Sequence, residues 1–206
     1  MAKNKNTDFN PRKFMELAIQ VMNESIQEPR TDKVSPKVGA VLIKPNGEID
    51  TAFRGELRHG DHAEFTLLER KLRSDNVDGA TLFATLEPCA PGARKHPKLG
   101  CAERIVNARI KKVYIGIEDP DPSVDRKGIK YLIDNNIDVE MFDADLQKEI
   151  RTANEQFIIE AEDRAKKVNE VKKEVTLSEI EKVETKGKLN DLSNEKIEKF
   201  ISLGKL

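Results

Sequence analysis

The chain has 206 residues and a mass of 23.3 kDa, room for one full domain with an appendage. Lys and Arg number 36 against 37 Asp and Glu, a net charge of −1. That balance excludes a protein that coats nucleic acid or anionic membrane through bulk charge. Absence of Trp, with only two Tyr and eight Phe, argues against a broad platform for stacking bases. No apolar run approaches the ~18 residues of a membrane span, Met1 to Asn10 is polar, and two cysteines cannot build a disulfide framework. The expectation is a cytoplasmic protein with no membrane partner.

Strand and helix signals alternate along most of the chain. Asn10-Pro11 reads as an N-cap followed by proline at the first helical position, and Phe14, Leu17, Ala18, Val21 and Met22 recur at helical spacing. Val38–Lys44 is a short apolar run with the character of a buried strand. Pro45-Asn46-Gly47 turns the chain, and Glu48–Phe53 returns antiparallel. A helix is expected over His62–Lys71 with Asp61 as its N-cap. Then follow a strand over Ala80–Leu86, a helix over Ala102–Ala108, a strand over Val113–Ile117, a helix over Lys127–Asn135 and a strand over Ile137–Phe142. Asp145–Ala165 reads as one long closing helix with Leu146, Ile150, Phe157, Ile158 and Ala161 inward. Only the first two strands are hairpin-linked. The pattern predicts a three-layer α/β/α sandwich on a mixed five-stranded sheet.

Beyond it the composition changes. Residues 161–206 carry 11 basic and 10 acidic side chains and no proline. The expected organisation is therefore a domain over residues 1–165 and a charged, helical tail, or the start of a further domain, over 166–206.

Three segments carry chemistry: His62-Ala63-Glu64 at a helix start, Glu87-Pro88-Cys89 directly after a strand, and Cys101 opening the next helix. One histidine and two cysteines make a three-ligand zinc set with a fourth position left for water. A helix N-terminus lowers the pKa of a cysteine toward the thiolate that a metal needs. In a parallel strand–helix–strand array, successive helix N-termini share one edge of the sheet, so the three ligands meet although they span 40 positions. Glu64 stands two residues after His62 and is the candidate acid/base. His-x-Glu followed by Pro-Cys and a second Cys is the signature of zinc-dependent nucleobase deaminases, in which the glutamate moves protons and is not a ligand. His96, between the cysteines, offers the alternative of a closed, structural site.

Longer stretches resemble a particular family. Pro36-Lys37-Val38-Gly39-Ala40-Val41-Leu42, His62-Ala63-Glu64 and Gly79–Cys89 resemble the pyrimidine deaminase domain of riboflavin biosynthesis. Glu118-Asp119-Pro120-Asp121-Pro122 looks like that family's Asp-Pro-Asn-Pro loop, and Lys127-Gly128-Ile129 continues it. The resemblance runs from about Phe14 to Phe157. It implies a cytidine deaminase-like fold, Zn2+, and hydrolytic deamination of a phosphoribosylated diaminopyrimidinone, with Asp119 and Asp121 among the substrate contacts.

The chain also departs from the pattern. Ser35 stands where the family has a substrate-contacting Asn, and a histidine several positions before His62 in the family falls near Gly55 here. Eleven residues separate Cys89 from Cys101, more than in the family, and they contain Arg94, Lys95, His96 and Lys98 with no acid. Arg94 and Lys98 are candidates for contacting a phosphate or carboxylate on the substrate.

The leading expectation is an enzyme deaminating a small aminated base or nucleotide. The alternatives are a deaminase acting on nucleic-acid bases and a non-catalytic zinc or nucleotide-binding module of a larger protein. A homo-oligomer is compatible with each.

Overall fold

The computed structural model describes residues 9–94, 97–120, 126–164 and 166–167. The chain divides into a unit spanning Met1–Ala161 and another spanning Glu162–Leu206. The expectations for Asp121, His96 and the tail beyond Lys167 fall outside the described residues.

The first unit is built on five strands: β1 Gly39–Ile43, β2 Ile49–Phe53, β3 Thr81–Leu86, β4 Lys112–Ile117 and β5 Asp138–Met141. They lie in the order β2-β1-β3-β4-β5. β1 is antiparallel to both β2 and β3, whereas β3, β4 and β5 are parallel. The mixed sheet expected from the sequence is what forms. Helices α1 (Pro11–Met22) and α5 (Ala144–Ala153) cover one face; α2 (Ala63–Phe65), α3 (Cys101–Asn107) and α4 (Lys127–Asp134) cover the other.

Local chemistry accounts for the elements. Asn10 caps α1, its side-chain oxygen accepting from the Arg12 N–H at 3.1 Å, with Pro11 in the first turn. β1, β3 and β4 sit between helices on both sides, which is why Val41, Leu42, Leu82, Phe83, Val113 and Ile115 are all fully buried and read as continuous apolar runs. Phe83 stacks on Tyr114 with centroids 4.6 Å apart, a contact that the β3–β4 register places side by side. Gly39 lets α1 approach β1 at backbone distance: a Cβ there would lie 2.2 Å from the Ala18 carbonyl oxygen.

Three sequence expectations need correction. Asp61 does not cap α2; His62 holds the cap position, with no side-chain hydrogen bond to the helix. The helix itself is α-helical for three residues only and continues as a π-helical turn over Thr66–Lys71, closed by the Leu72 N–H donating to the Leu67 carbonyl at 3.0 Å. The closing helix is not continuous. It ends at Asn154 and resumes over residues 155–164. The buried Asn154 side chain accepts from the Lys37 N–H at 2.7 Å and donates to the Lys37 carbonyl at 3.2 Å, so it serves a strand-entry segment 117 residues away. Leu146, Ile150, Phe157 and Ala161 are nonetheless buried, and Ile158 half-buried.

Candidate metal centre and active site

Because β3, β4 and β5 are parallel, the helices that follow or precede them present their N-termini at one edge of the sheet. His62 begins α2, Cys89 follows β3, and Cys101 is the first residue of α3. His62 Nδ1 lies 3.4 Å from Cys101 Sγ and 3.7 Å from Cys89 Sγ. A tetrahedral site with Zn–N and Zn–S bonds of about 2.0–2.3 Å places N and S about 3.5 Å apart. The three ligand atoms all lie within 4.8 Å of one another and could hold a metal ion. The donor set, one imidazole and two sulfurs, suits zinc.

Thiolate character is built in on one side. Hydrogen bonds from the Cys101 thiol and His62 pull the Cys89 pKa down to about 4, and the Cys101 backbone N–H donates to Cys89 Sγ at 3.1 Å. Cys101, fully buried and sharing its proton with Cys89, is pushed up instead. Gly100 makes this close approach possible, since a Cβ there would sit 2.5 Å from the Ala90 carbonyl oxygen.

Glu64 is 3% exposed. Burial pushes its pKa up from the ordinary carboxylate range, outweighing the pull of the His62 charge. A buried carboxyl beside the cluster, and outside the ligand set, is placed to hold a proton rather than a metal.

Glu87 belongs to one of the three segments read from the sequence, which assigns it no role of its own. Its carboxylate accepts from the backbone N–H groups of Gly128 at 2.9 Å, Ile129 at 3.1 Å and Asp119 at 3.2 Å. One buried side chain thus ties the loop after β4 and the start of α4 to the residue two before Cys89. Gly128 completes the junction, because a Cβ there would overlap the Pro88 carbonyl oxygen at 1.9 Å.

The remaining predicted residues that the structure describes lie on the rim. Ser35 is buried; its hydroxyl donates to Glu28 Oε1 at 3.0 Å, and Arg54 donates to the same oxygen at 2.5 Å. This group adjoins the centre through Gly60, where a Cβ would lie 3.5 Å from the Glu28 carboxyl carbon, two residues before His62. Arg94 and Lys98 line a cleft that reaches Cys101. Asp119 is held by Glu87 through its backbone.

A mixed α/β sheet that gathers such a cluster at one edge has the architecture of a cytidine deaminase-like metalloenzyme. Residues 10–117 match the model of the cytidine and deoxycytidylate deaminase zinc-binding region. That stretch exceeds half of the chain, and the protein belongs to this family. Riboflavin biosynthesis protein RibD of Haemophilus influenzae is 40% identical over 112 residues, 52% of this chain and 27% of that protein. The diaminohydroxyphosphoribosylamino-pyrimidine deaminase of Schizosaccharomyces pombe is 29% identical over 125 residues, 59% of this chain and 30% of that one. The crystal structure of a diaminohydroxyphosphoribosylaminopyrimidine deaminase/5-amino-6-(5-phosphoribosylamino)uracil reductase from Thermotoga maritima superposes with a TM-score of 0.61 at 29% identity, covering 74% of this chain and 41% of that one. The resemblance read from the sequence is borne out. The chain spans about a third or less of the length of the first curated relatives it matches. Among the described residues no helix is long and apolar enough to cross a membrane.

Proposed function

We propose that this protein is a zinc-dependent hydrolase that deaminates an aminopyrimidine carried on a phosphorylated sugar, acting in the cytoplasm. The observation that carries the reading is the buried Glu64 carboxyl against a His62–Cys89–Cys101 cluster of metal-ligand spacing. Those three residues would hold the zinc, which when bound acts as a Lewis acid and makes water a usable nucleophile at neutral pH. In the overall reaction a ring C–NH2 and water give a ring carbonyl and ammonia. Glu64 takes the proton from the attacking water and delivers it to the departing amine. Its raised pKa suits both halves of that exchange.

Glu87 holds the backbone of Asp119. In this reading Asp119 and Asp121 are the substrate contacts of the loop that resembles the family's Asp-Pro-Asn-Pro. Ser35 acts through Glu28 in place of the family's Asn. Arg94 and Lys98 contact the anionic group of the substrate.

The test is ammonia release by the zinc-loaded chain from deoxycytidine monophosphate, from cytidine and from the diaminopyrimidine intermediate of riboflavin synthesis. Parallel metal analysis of Cys89→Ser/Cys101→Ser checks the ligand set. Ammonia from at least one phosphorylated aminopyrimidine, and a double variant lacking both zinc and activity, are expected. Retention of zinc by the double variant would refute the ligand assignment, and failure on every phosphorylated aminopyrimidine would refute the activity.

A further inference from the structure

Beside Cys101 opens a cleft into which four segments deliver five cations: Arg58 from the β2–α2 loop, Arg70 from the π-helical turn, Arg94 and Lys98 from the β3–α3 loop, and Arg104 from α3. Two of the cations are fixed in place. The guanidinium carbons of Arg104 and Arg70 lie 4.7 Å and 5.2 Å from the Phe65 ring centroid, and Arg104 also pairs with Glu69. Arg70 lies 3.8 Å from Asp61 Oδ2, a buried oxygen in the cleft wall with no hydrogen-bond partner among the described residues.

Five cations therefore face two carboxylates, Asp61 and Glu69, an excess of three. Like charges held this close repel one another unless an anion joins them. In a chain with net charge −1 the concentration is local and built by the fold. A single phosphomonoester brings about −1.5 to −2 at neutral pH, less than the excess. A second phosphoryl group makes up the difference. A nucleic-acid strand fits less well: the cationic residues ring one concavity rather than a stripe, and Phe65 already carries two guanidinium groups where a base would stack.

We propose that this cleft binds a pyrophosphoryl group, so that the substrate is a small aminopyrimidine compound bearing a di- or polyphosphate, its reacting carbon at Glu64 and its phosphates among Arg58, Arg70, Arg94, Lys98 and Arg104. The substrate assignment rests on the deaminase reading; the anion site does not.

Calorimetric titration of the zinc-loaded full chain with inorganic phosphate and with pyrophosphate tests it, alongside Arg58→Ala/Arg70→Ala. Pyrophosphate is expected to bind at least about tenfold more tightly than phosphate, and the double variant to lose about tenfold or more of that affinity. Capture of pyrophosphate by the zinc alone would be equal in both proteins, so equal affinities overturn the proposal. If the double variant does not fold, Arg94→Ala/Lys98→Ala is read by the same criterion. A labelled single-stranded oligonucleotide that displaces pyrophosphate and binds more tightly also overturns it. Failure of the two readings is distinguishable. Tight pyrophosphate binding, retained in Glu64→Gln, without ammonia release from any phosphorylated aminopyrimidine supports the cleft and overturns the deaminase. Turnover of monophosphates with no preference for pyrophosphate overturns the cleft and leaves the deaminase.

Discussion

The metal centre and its rim are built by different means. At the centre, His62, Glu64, Glu87, Cys89 and Cys101 are placed by backbone: helix starts, a strand end, and N–H groups that donate to Cys89 and Glu87. On the rim, Ser35, Glu28 and Arg54 on one side and the cationic cleft on the other are placed by side chains bonding to side chains. Backbone placement ties the chemistry to the fold itself. Side-chain placement leaves the rim open to change one residue at a time, and there the chain departs from the pattern it otherwise resembles. A centre that carries reaction chemistry and a rim that carries substrate choice should respond differently to substitution.

The largest expected effect is at the centre. Glu64→Gln should lower kcat by about 10²–10⁴-fold while zinc content stays at the wild-type level. Stability should hold or rise, because the variant replaces a buried carboxyl whose pKa burial has raised with a neutral amide of the same shape. Steady-state ammonia release, metal analysis and a thermal melt on one preparation check all three. Loss of zinc would move Glu64 into the ligand set and break the division between ligands and proton carrier.

Glu87 offers a smaller test of the same division. Glu87→Ala strips an acceptor from three backbone N–H groups, two of them buried. It should cost roughly 1–3 kcal/mol in urea unfolding. Since the carboxylate holds the Asp119 loop rather than the reacting atoms, KM should rise with a lesser fall in kcat. Zinc binding should persist.

The sequence made the centre legible and hid the rim, for a physical reason. Each metal ligand stands at the boundary of an element whose periodicity or terminal signal can be read locally, and the parallel order of β3, β4 and β5 brings those boundaries together. Glu87 carries no local sign of its task, because its partners lie 32, 41 and 42 positions away. Glu28, Ser35 and Arg54 likewise meet only through loops. Arg94 and Lys98 stood out by clustering in one acid-free loop, but Arg58, Arg70 and Arg104 joined them only once the helices were packed. The break at Asn154 was invisible because helical spacing continues across it; the cause is the backbone of Lys37, far off in the chain. Asp61 satisfied the rule for an N-cap and lines the cleft instead.

The smallest effect contrasts the carboxylates of the two regions by pH. Burial raises Glu64 and Glu87, whereas the pKa of Glu28 is lowered: its burial acts upward, and hydrogen bonds from Arg54 and Ser35 with the charges of Arg54 and Arg30 outweigh it. A folded-state pKa below the unfolded value means that Glu28 contributes stability above its ordinary 4.5, and that this contribution is lost as the pH falls through the folded value. Glu28→Gln should therefore destabilise the chain by about 1 kcal/mol at pH 7, a modest figure because the carboxylate retains some exposure to solvent. The gap between variant and wild type should close progressively below about pH 4.5. Urea unfolding of both proteins at neutral pH and at two acidic values checks it. A gap that widens on acidification would reverse the sign of the Glu28 interaction, and the rim would then be held, like the centre, at the expense of its charge.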